Sequence, residues 1–345
     1  MRTLKESILS STNTGKRSIY TLFPKNKTEL VKMIKSEIKE KGNKCSLNHI
    51  YVREITNMSG LFKYSKFNGD ISKWDVSNVK DMSEMFSSSK FNGDISKWNV
   101  SKVKNMSKMF YESVFNKDIS NWNVSNVEDM TKMFCWSKFN GDISNWNVSS
   151  VKSMNCMFYV SVFNKDISKW NVSNVENMYK MFNSSEFNTD ISNWNVSKVE
   201  TMSKMFSSSK FNGDISSWNV SNVKNMYGMF WVSEFNGDIS KWNVSEVENM
   251  EYMFCCSKFN NSISKWNVSK VENMHCMFHG SKFNGNISKW NVSEVTDMER
   301  MFASSKFNKD ISNWKINPDC NIVKMFDACN IKDEYKPFKN GKRIK

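Results

Sequence analysis

The chain has 345 residues, 39% of them hydrophobic, which is enough for a sizeable core and too many for a wholly disordered protein. Its 24 Met, 25 Phe and 13 Trp stand against only 3 His, so a histidine-based active site has few candidate residues. The net charge of +14 suggests nucleic acid or acidic membranes as partners, but most of the excess lies in residues 1–60 and 315–345. The long middle part is nearly neutral.

Sequence patterns also indicate the cellular compartment and the kind of chemistry to expect. No apolar stretch reaches the roughly 18 to 20 residues that span a bilayer, and residues 1–27 lack a signal-peptide pattern. The eight cysteines show no regular spacing, so we expect reduced thiols and a cytoplasmic location, with a surface or virion location only by a non-standard route. No phosphate-binding loop, dinucleotide fingerprint or zinc-protease motif occurs, and we expect no cofactor and no enzymatic activity.

The first predicted element is a helix. Residues 28–41 (TELVKMIKSEIKEK) place Leu30, Met33, Ile34 and Ile38 at helical spacing, with charged residues on the other side. We predict that this helix caps the apolar end of the structure that follows, and we assign residues 1–57 to an N-terminal capping region. Residues 45–62 within and beyond it look like a degenerate first coil.

A 24-residue repeat fills residues 58–314. Tryptophan recurs with this period from Trp74 to Trp314, and a phenylalanine from Phe67 to Phe307 has the same period. No insertion interrupts the array, so each position of the repeat forms a column along the molecule. The pattern predicts a solenoid of about eleven coils, in which stacked neighbours complete the core that one repeat cannot form alone.

Within one repeat the apolar spacing changes. Residues 71–76 (ISKWDV) suit a short parallel strand, and residues 79–86 follow at the spacing of a short helix or 3₁₀ segment. Residues 67–70 (FNGD) supply a turn. We therefore predict an α/β solenoid. Two asparagine columns, one from Asn68 and one from Asn99, are placed to bond from coil to coil.

The repeat string F-N-x-D-I-S-x-W-x-V-x-x-V-x-x-M-x-x-M-F, as in Phe67 to Phe86, resembles that of the BspA-type leucine-rich-repeat surface protein family, which is also common in mycoplasma lipoproteins. The resemblance covers about residues 58–330. It implies a right-handed, leucine-rich-repeat-like solenoid and a surface protein used in adhesion. Val79 departs from the general leucine-rich-repeat string, which has Asn at this position.

The repeat loses its tryptophan after Trp314. Ile322, Met325 and Phe326 keep the phase, Pro318 and Pro337 interrupt the closing segment, and residues 336–345 are basic. We predict a C-terminal cap and a loose basic tail over residues 315–345.

Two sets of residues resemble metal sites. Nearly every coil has an aspartate at the position of Asp70, which suits either calcium or a turn cap; its repetition favours the cap. Cysteine and histidine concentrate once, and thiolates with imidazoles suit zinc. Their spacing matches no known finger and neighbouring coils vary freely there, which favours surface cysteines over a metal site. The members are Cys255, Cys256, His275, Cys276 and His279.

Specificity is expected where the repeats differ, in the variable residues after each M-F pair and in the adjoining columns. Bulky aromatic side chains there are typical interface anchors, or they fill space beneath the adjacent loop. The candidates are Tyr111, Trp136, Tyr159, Tyr179, Tyr227, Trp231 and Tyr252. The invariant Trp and Phe columns are interpreted as core, and not as a surface on which nucleic-acid bases stack.

The sequence thus favours a non-enzymatic recognition scaffold that binds a protein partner through variable columns of the solenoid. The alternative is an adhesin or a virion- or cell-surface receptor-binding protein. A weaker alternative is nucleic-acid association through the basic termini.

Overall fold

The computed structural model describes residues 20–345, in which one continuous core runs along an array of stacked coils. Its regular elements are helix α1 (Lys27–Lys41), a 3₁₀ turn (Asp333–Tyr335) and two short strands, β1 (Phe338–Lys339) and β2 (Lys342–Arg343). The remainder consists of turns and single-residue pairings between coils. In this part of the chain, no helix has the length and apolar character needed to cross a membrane.

Helix α1 forms where the amphipathic spacing predicts it. The Asn26 side chain caps it by accepting a hydrogen bond from the Glu29 N–H at 3.0 Å, and Gly42 follows its last residue with a φ of 82°. Leu30 and Ile34 are buried in the same core as the coils. The helix therefore contributes apolar surface to the N-terminal end of the array.

Successive coils stack in parallel and in constant register. One residue in each coil pairs with its equivalent in the next coil, as Asn57 pairs with Asp81 and Asp81 with Asn105, and the ladder continues to Asn321. This is the repeat solenoid that the constant sequence period predicts.

The invariant columns form the core of this solenoid. Trp74 is 4% exposed and Phe86 is fully buried. The Trp74 and Trp98 ring centres lie 6.4 Å apart with nearly parallel planes. The Trp98 indole Nε1–H also donates to the main-chain carbonyl of Ile71 in the preceding coil, at 3.2 Å. The aromatic columns are therefore structural and are closed to nucleic-acid bases.

The strand predicted over residues 71–76 does not form. The Trp74 N–H donates to the Ile71 carbonyl at 3.1 Å, which closes a tight turn inside the segment. The Asp70 side chain bends the chain just before it by accepting from the Ser72 N–H at 2.9 Å. The residue that pairs with the next coil is Asp81, beyond the predicted strand.

The helix predicted over residues 79–86 is replaced by consecutive turns. The main-chain N–H groups of residues 82, 84, 86 and 88 donate to carbonyls of the next coil, and those of residues 85, 87 and 89 donate three residues back. Glu84 and Ser88 have φ values of 57° and 51°, which an α-helix does not contain. Apolar residues recur at three- and four-residue steps in this series of turns, which we call the turn ribbon, as they do in a helix. The prediction of a helix here was therefore wrong. The α/β class is not confirmed.

The Asn and Asp columns satisfy main-chain amides. The Asn92 N–H donates to Asn68 Oδ1 in the preceding coil at 2.8 Å, and this contact recurs along the column to Asn308. The other asparagine column bonds only locally, as in the 3.1 Å contact from the Ser101 N–H to Asn99 Oδ1. In the Asp70 column, each carboxylate caps a turn, as predicted.

The segment predicted as a loose basic tail is folded. Strands β1 and β2 form an antiparallel hairpin, and Phe338 also pairs in parallel with Lys315 of the last tryptophan-containing coil. Ile344 is 7% exposed and its N–H donates to the Pro337 carbonyl at 3.0 Å. The apolar side chain of Ile344 anchors the segment. The prediction of a loose tail overlooked it because the surrounding residues are mostly basic.

Candidate functional site

The variable residues gather on one surface of the solenoid, which we call the turn face. It consists of the positions of Ser83, Glu84, Ser87 and Ser88 and their equivalents in the other coils. These positions alternate with the buried Met and Phe positions of the turn ribbon. Because each coil bonds to the next through the same main-chain groups, the side chains form rows along the array.

All seven candidate aromatic residues lie on the turn face. Trp136 is 50% exposed and the other six are half-buried. Each of these six is thus partly covered by neighbours and partly open to solvent. By position, Tyr179 and Tyr227 are equivalent to Ser83, Tyr252 to Glu84, Tyr111, Tyr159 and Trp231 to Ser87, and Trp136 to Ser88.

The structure brings these residues together around lysines. The first aromatic cluster comprises Trp136, Tyr159, Tyr179 and Lys180. The Trp136 and Tyr159 rings meet edge to face with centres 6.0 Å apart. Lys180 Nζ lies 5.4 Å from the Tyr159 ring centre and 5.1 Å from that of Tyr179, within cation–π range. With Tyr111 and other residues, the cluster lines a cleft of about 270 Å³.

The second aromatic cluster comprises Lys204, Tyr227, Trp231 and Tyr252. Lys204 Nζ lies 4.8 Å from the Tyr227 ring centre and 4.9 Å from that of Trp231. The Tyr252 ring contacts both, with centres 5.9 Å from Tyr227 and 5.6 Å from Trp231. Both clusters thus combine a lysine ammonium with aromatic rings from adjacent coils.

Neighbours on the turn face meet along a diagonal between adjacent coils. The Ser87 position of one coil meets the Glu84 position of the next, as in the Trp231–Tyr252 ring contact and the Lys63–Glu84 ion pair. The same diagonal places Lys180 over Tyr159. Sequence reasoning identified the aromatic residues but missed these lysines. Their signal was the recurrence of lysine at the Glu84 position, including Lys108, Lys132, Lys180 and Lys204.

The clusters carry positive charge at neutral pH. Burial by itself lowers the pKa of the Lys180 ammonium, but its interactions with Tyr179 outweigh this and the pKa is raised. Burial raises the pKa of Tyr252 to about 12, so its phenol stays protonated. The turn face therefore offers cations and neutral hydroxyl groups.

Several large residues on this face occupy the left-handed region of backbone conformation. Trp136, Val160 and Val232 have φ values of 57°, 50° and 53°. This conformation costs a residue other than glycine about 1–2 kcal/mol, and β-branched residues rarely adopt it. Gly280 occupies the same position in a later coil, with a φ of 61°. Bulky side chains thus stand where glycine would relieve strain.

The Cys/His residues also lie on the turn face. Cys256 is exposed, but Cys255 and Cys276 are only 3% and 4% exposed. The prediction of surface cysteines is therefore wrong for these two, because small side chains at the Ser87 and Glu84 positions sink between their neighbours.

The two histidines of this group, His275 and His279, do not converge on a common point. His275 Nε2 lies 3.1 Å from the Tyr252 hydroxyl and 3.4 Å from Cys276 Sγ. His279 is half-buried at the Ser87 position of the same coil. Within residues 20–345, no three Cys, His, Asp or Glu side chains are grouped as metal ligands.

Comparison with protein families shows what the chain is similar to. A model of the DUF285 family, described as Mycoplasma protein of unknown function, matches residues 28–138, 113–208, 135–234, 162–256 and 231–338. Together these overlapping matches span most of the chain. No curated protein and no solved structure matches it.

Proposed function

This chain belongs to the DUF285 family of repeat proteins, and we propose that it is a non-enzymatic recognition scaffold that binds a protein partner through the two aromatic clusters of the turn face. The proposal includes the finer kinship with BspA-type leucine-rich-repeat proteins that the repeat string suggests. The observation that carries it is the gathering of Trp136, Tyr159, Tyr179, Tyr227, Trp231 and Tyr252 on one surface. Tyr and Trp at a partly exposed surface are the residues most enriched at interface hot spots.

The backbone conformation of this face supports the proposal. A large apolar residue at a left-handed position destabilises the fold and gains little burial there, since Trp136 and Val232 are each 50% exposed. Because the left-handed conformation itself recurs in nearly every coil, the distinctive feature of these coils is the bulky side chain that adopts it. An intermolecular contact would give these side chains the burial that the isolated coil does not.

The contrast between coils supports it further. In the coil of Lys204, the last two turn-face positions carry only Ser207 and Ser208, and near the C-terminal end they carry Ala303 and Ser304. The fold therefore accepts small side chains here. Packing of the solenoid does not account for the aromatic residues.

The alternative proposal is an adhesin or a virion- or cell-surface receptor-binding protein, which is supported by the repeat string shared with BspA-type surface proteins. In this case too, the turn face would be the binding surface. Protease treatment of intact cells or particles distinguishes the two: cleavage of this chain favours the surface role, and full protection rejects it. A weaker proposal, nucleic-acid association through the basic termini, predicts binding that falls steeply with salt and disappears with nuclease.

The test of the main proposal is affinity capture from a native lysate at physiological salt with nuclease present. The bait is the full chain, as wild type, Trp136→Ala, Trp231→Ala and the matched control Val162→Ala. Val162 is 47% exposed and lies outside the turn face. We expect a protein captured by wild type and Val162→Ala to be lost from both tryptophan variants, with unchanged thermal midpoints. Equal capture by all four proteins would reject the proposal.

A further inference from the structure

Three turn-face lysines, Lys132, Lys180 and Lys204, lack carboxylate partners, unlike Lys63 and Lys108, which pair with Glu84 on the same face. On other surfaces, Lys210 pairs with Glu186 at 2.6 Å and Lys270 with Glu246 at 2.7 Å, each across one coil boundary. In the described residues, Lys132, Lys180 and Lys204 form no ion pair. Moreover, the turn-face positions from Thr131 to Val232 include no Asp or Glu. This stretch therefore forms a local positive surface within a nearly neutral array.

Aromatic rings fix where two of these charges lie. Lys180 Nζ extends back towards Tyr159 of the preceding coil, at 5.4 Å from the ring centre. Lys204 Nζ extends forward over Tyr227 and Trp231 of the following coil, at 4.8 and 4.9 Å. The ammonium groups are thus held apart, and less side-chain entropy is lost when they bind a ligand.

The repeat sets the spacing of the coils that carry the three lysines. Adjacent coils hydrogen-bond directly, as in the 2.9 Å contact from the Lys180 N–H to the Ser203 carbonyl, which implies a rise of about 4.8 Å per coil. The backbones of Lys132 and Lys180 lie two coil rises apart, about 10 Å, and both side chains line the same cleft. The Lys180 and Lys204 side chains extend in opposite directions along the array, so their ammonium groups lie farther apart than the single coil rise that separates their backbones.

From this unpaired positive charge we infer that the turn face binds an extended acidic segment of the partner protein, whose carboxylates face Lys132, Lys180 and Lys204. A polyproline II segment rises about 3.1 Å per residue with three residues per turn, so side chains at i, i+3 and i+6 share one side at about 9 Å intervals. The aromatic residues would contact the segment between the charges. The inference rests on the proposed function and specifies the chemistry of its partner.

Single-stranded nucleic acid fits this surface less well. Base stacking needs open ring faces, but Lys180 lies over the Tyr159 and Tyr179 rings, and Lys204 over Tyr227 and Trp231. The Tyr159 and Trp136 rings also meet edge to face. Three lysines also give few phosphate contacts, whereas single carboxylates of a peptide can pair with them individually.

The test measures peptide binding by fluorescence anisotropy with the full chain. The probe is a labelled (Glu-Pro-Pro)₃ peptide, compared with (Gln-Pro-Pro)₃, with a peptide of the same composition whose three Glu are adjacent, and with a twelve-residue oligothymidine. We expect the spaced Glu peptide to bind most tightly. The double variant Lys180→Gln/Lys204→Gln should weaken it about tenfold or more, while Lys169→Gln, exposed outside the turn face, leaves it unchanged.

Three results would overturn the inference: no binding of the spaced Glu peptide at millimolar concentration, equal binding of the Gln peptide, or tighter binding of oligothymidine. The capture experiment separates this failure from failure of the proposed function. A partner lost with Trp136→Ala but retained with Lys180→Gln/Lys204→Gln would leave the scaffold proposal intact and reject an acidic segment. Equal thermal midpoints of the lysine variants and wild type establish that folding is unchanged.

Discussion

The indole Nε1–H of Trp194 donates to the main-chain carbonyl of Ile167 in the preceding coil, at 3.1 Å. The same carbonyl accepts the main-chain N–H of Trp170, also at 3.1 Å, which closes the turn within its own coil. One buried oxygen therefore joins the turn of one coil to the core of the next. This contact recurs from Trp74 to Trp314 and explains why the column is tryptophan rather than phenylalanine.

Trp194→Phe should lower the free energy of unfolding by about 2 kcal/mol, since it removes a hydrogen bond worth about 1 kcal/mol and leaves a cavity beside the ring. Urea denaturation followed by circular dichroism measures the effect. Trp231→Phe is the control: Trp231 is half-buried on the turn face, and its replacement should change the urea midpoint much less. Equal shifts in the two variants would contradict the role given to the indole N–H.

Val232→Asn should stabilise the fold by about 1 kcal/mol, because asparagine tolerates the left-handed conformation better than a β-branched residue. Val232 has a φ of 53° and is half exposed, so little burial is lost. The measurement is the thermal midpoint, with Val162→Asn as the control at an exposed valine outside the left-handed positions. A midpoint unchanged or lowered by Val232→Asn would show that the backbone is not strained there.

Acid should destabilise the solenoid through its turn-capping aspartates. Hydrogen bonds from main-chain amides, such as those of Ser144 and Ser168, lower the pKa of Asp142 and Asp166 below the ordinary 3.8. A lowered native pKa means that these groups stabilise the fold above the unfolded-state pKa, and that this contribution is lost as pH falls through the native pKa.

The pH effect can be measured as the thermal midpoint between pH 7 and pH 2. Asp142→Asn/Asp166→Asn should show a shallower fall below about pH 4, because asparagine caps the turn without titrating, as Asn286 does at 3.0 Å from the Ser288 N–H. A decline as steep as that of wild type would indicate that other carboxylates dominate.

Cysteine alkylation should distinguish the buried from the open positions of the turn face. Burial raises the pKa of Cys135 to about 12 and also raises that of Cys255, so both remain thiols at pH 8. Cys256 is exposed. Iodoacetamide at pH 8 should modify Cys256 well before these two, and urea should remove the difference. Mass spectrometry of tryptic peptides measures the order, and prior modification of Cys135 would contradict the burial described.

The repeat period was sufficient to predict the solenoid and its core. Eleven tryptophans at a constant interval leave no alternative to stacked coils, and Trp74 and its equivalents are buried accordingly. The turn caps at Asp70 and its equivalents were also predictable, because an aspartate two residues before a serine amide is a common local motif.

The local backbone was not predictable from apolar spacing. A helix and the turn ribbon place buried residues at the same three- and four-residue steps. The distinguishing signal was glycine: Gly60 and Gly228 occupy the Glu84 position with φ values of 62° and 56°. Recurrent glycine within an apparent helix indicates left-handed residues. The lysines of the candidate site were missed for a related reason, since their contacts with aromatic rings depend on the diagonal between adjacent coils.

Every junction between coils uses the same main-chain donors and acceptors. Distances between equivalent positions along the solenoid are therefore whole multiples of one coil rise. Inserting one whole repeat between the two aromatic clusters would move them apart by one rise while leaving each cluster intact. Evolution can therefore adjust the distance between binding elements by duplication or loss of a repeat, without redesigning the core. The distance between binding elements can thus change between related sequences only in steps of one coil rise.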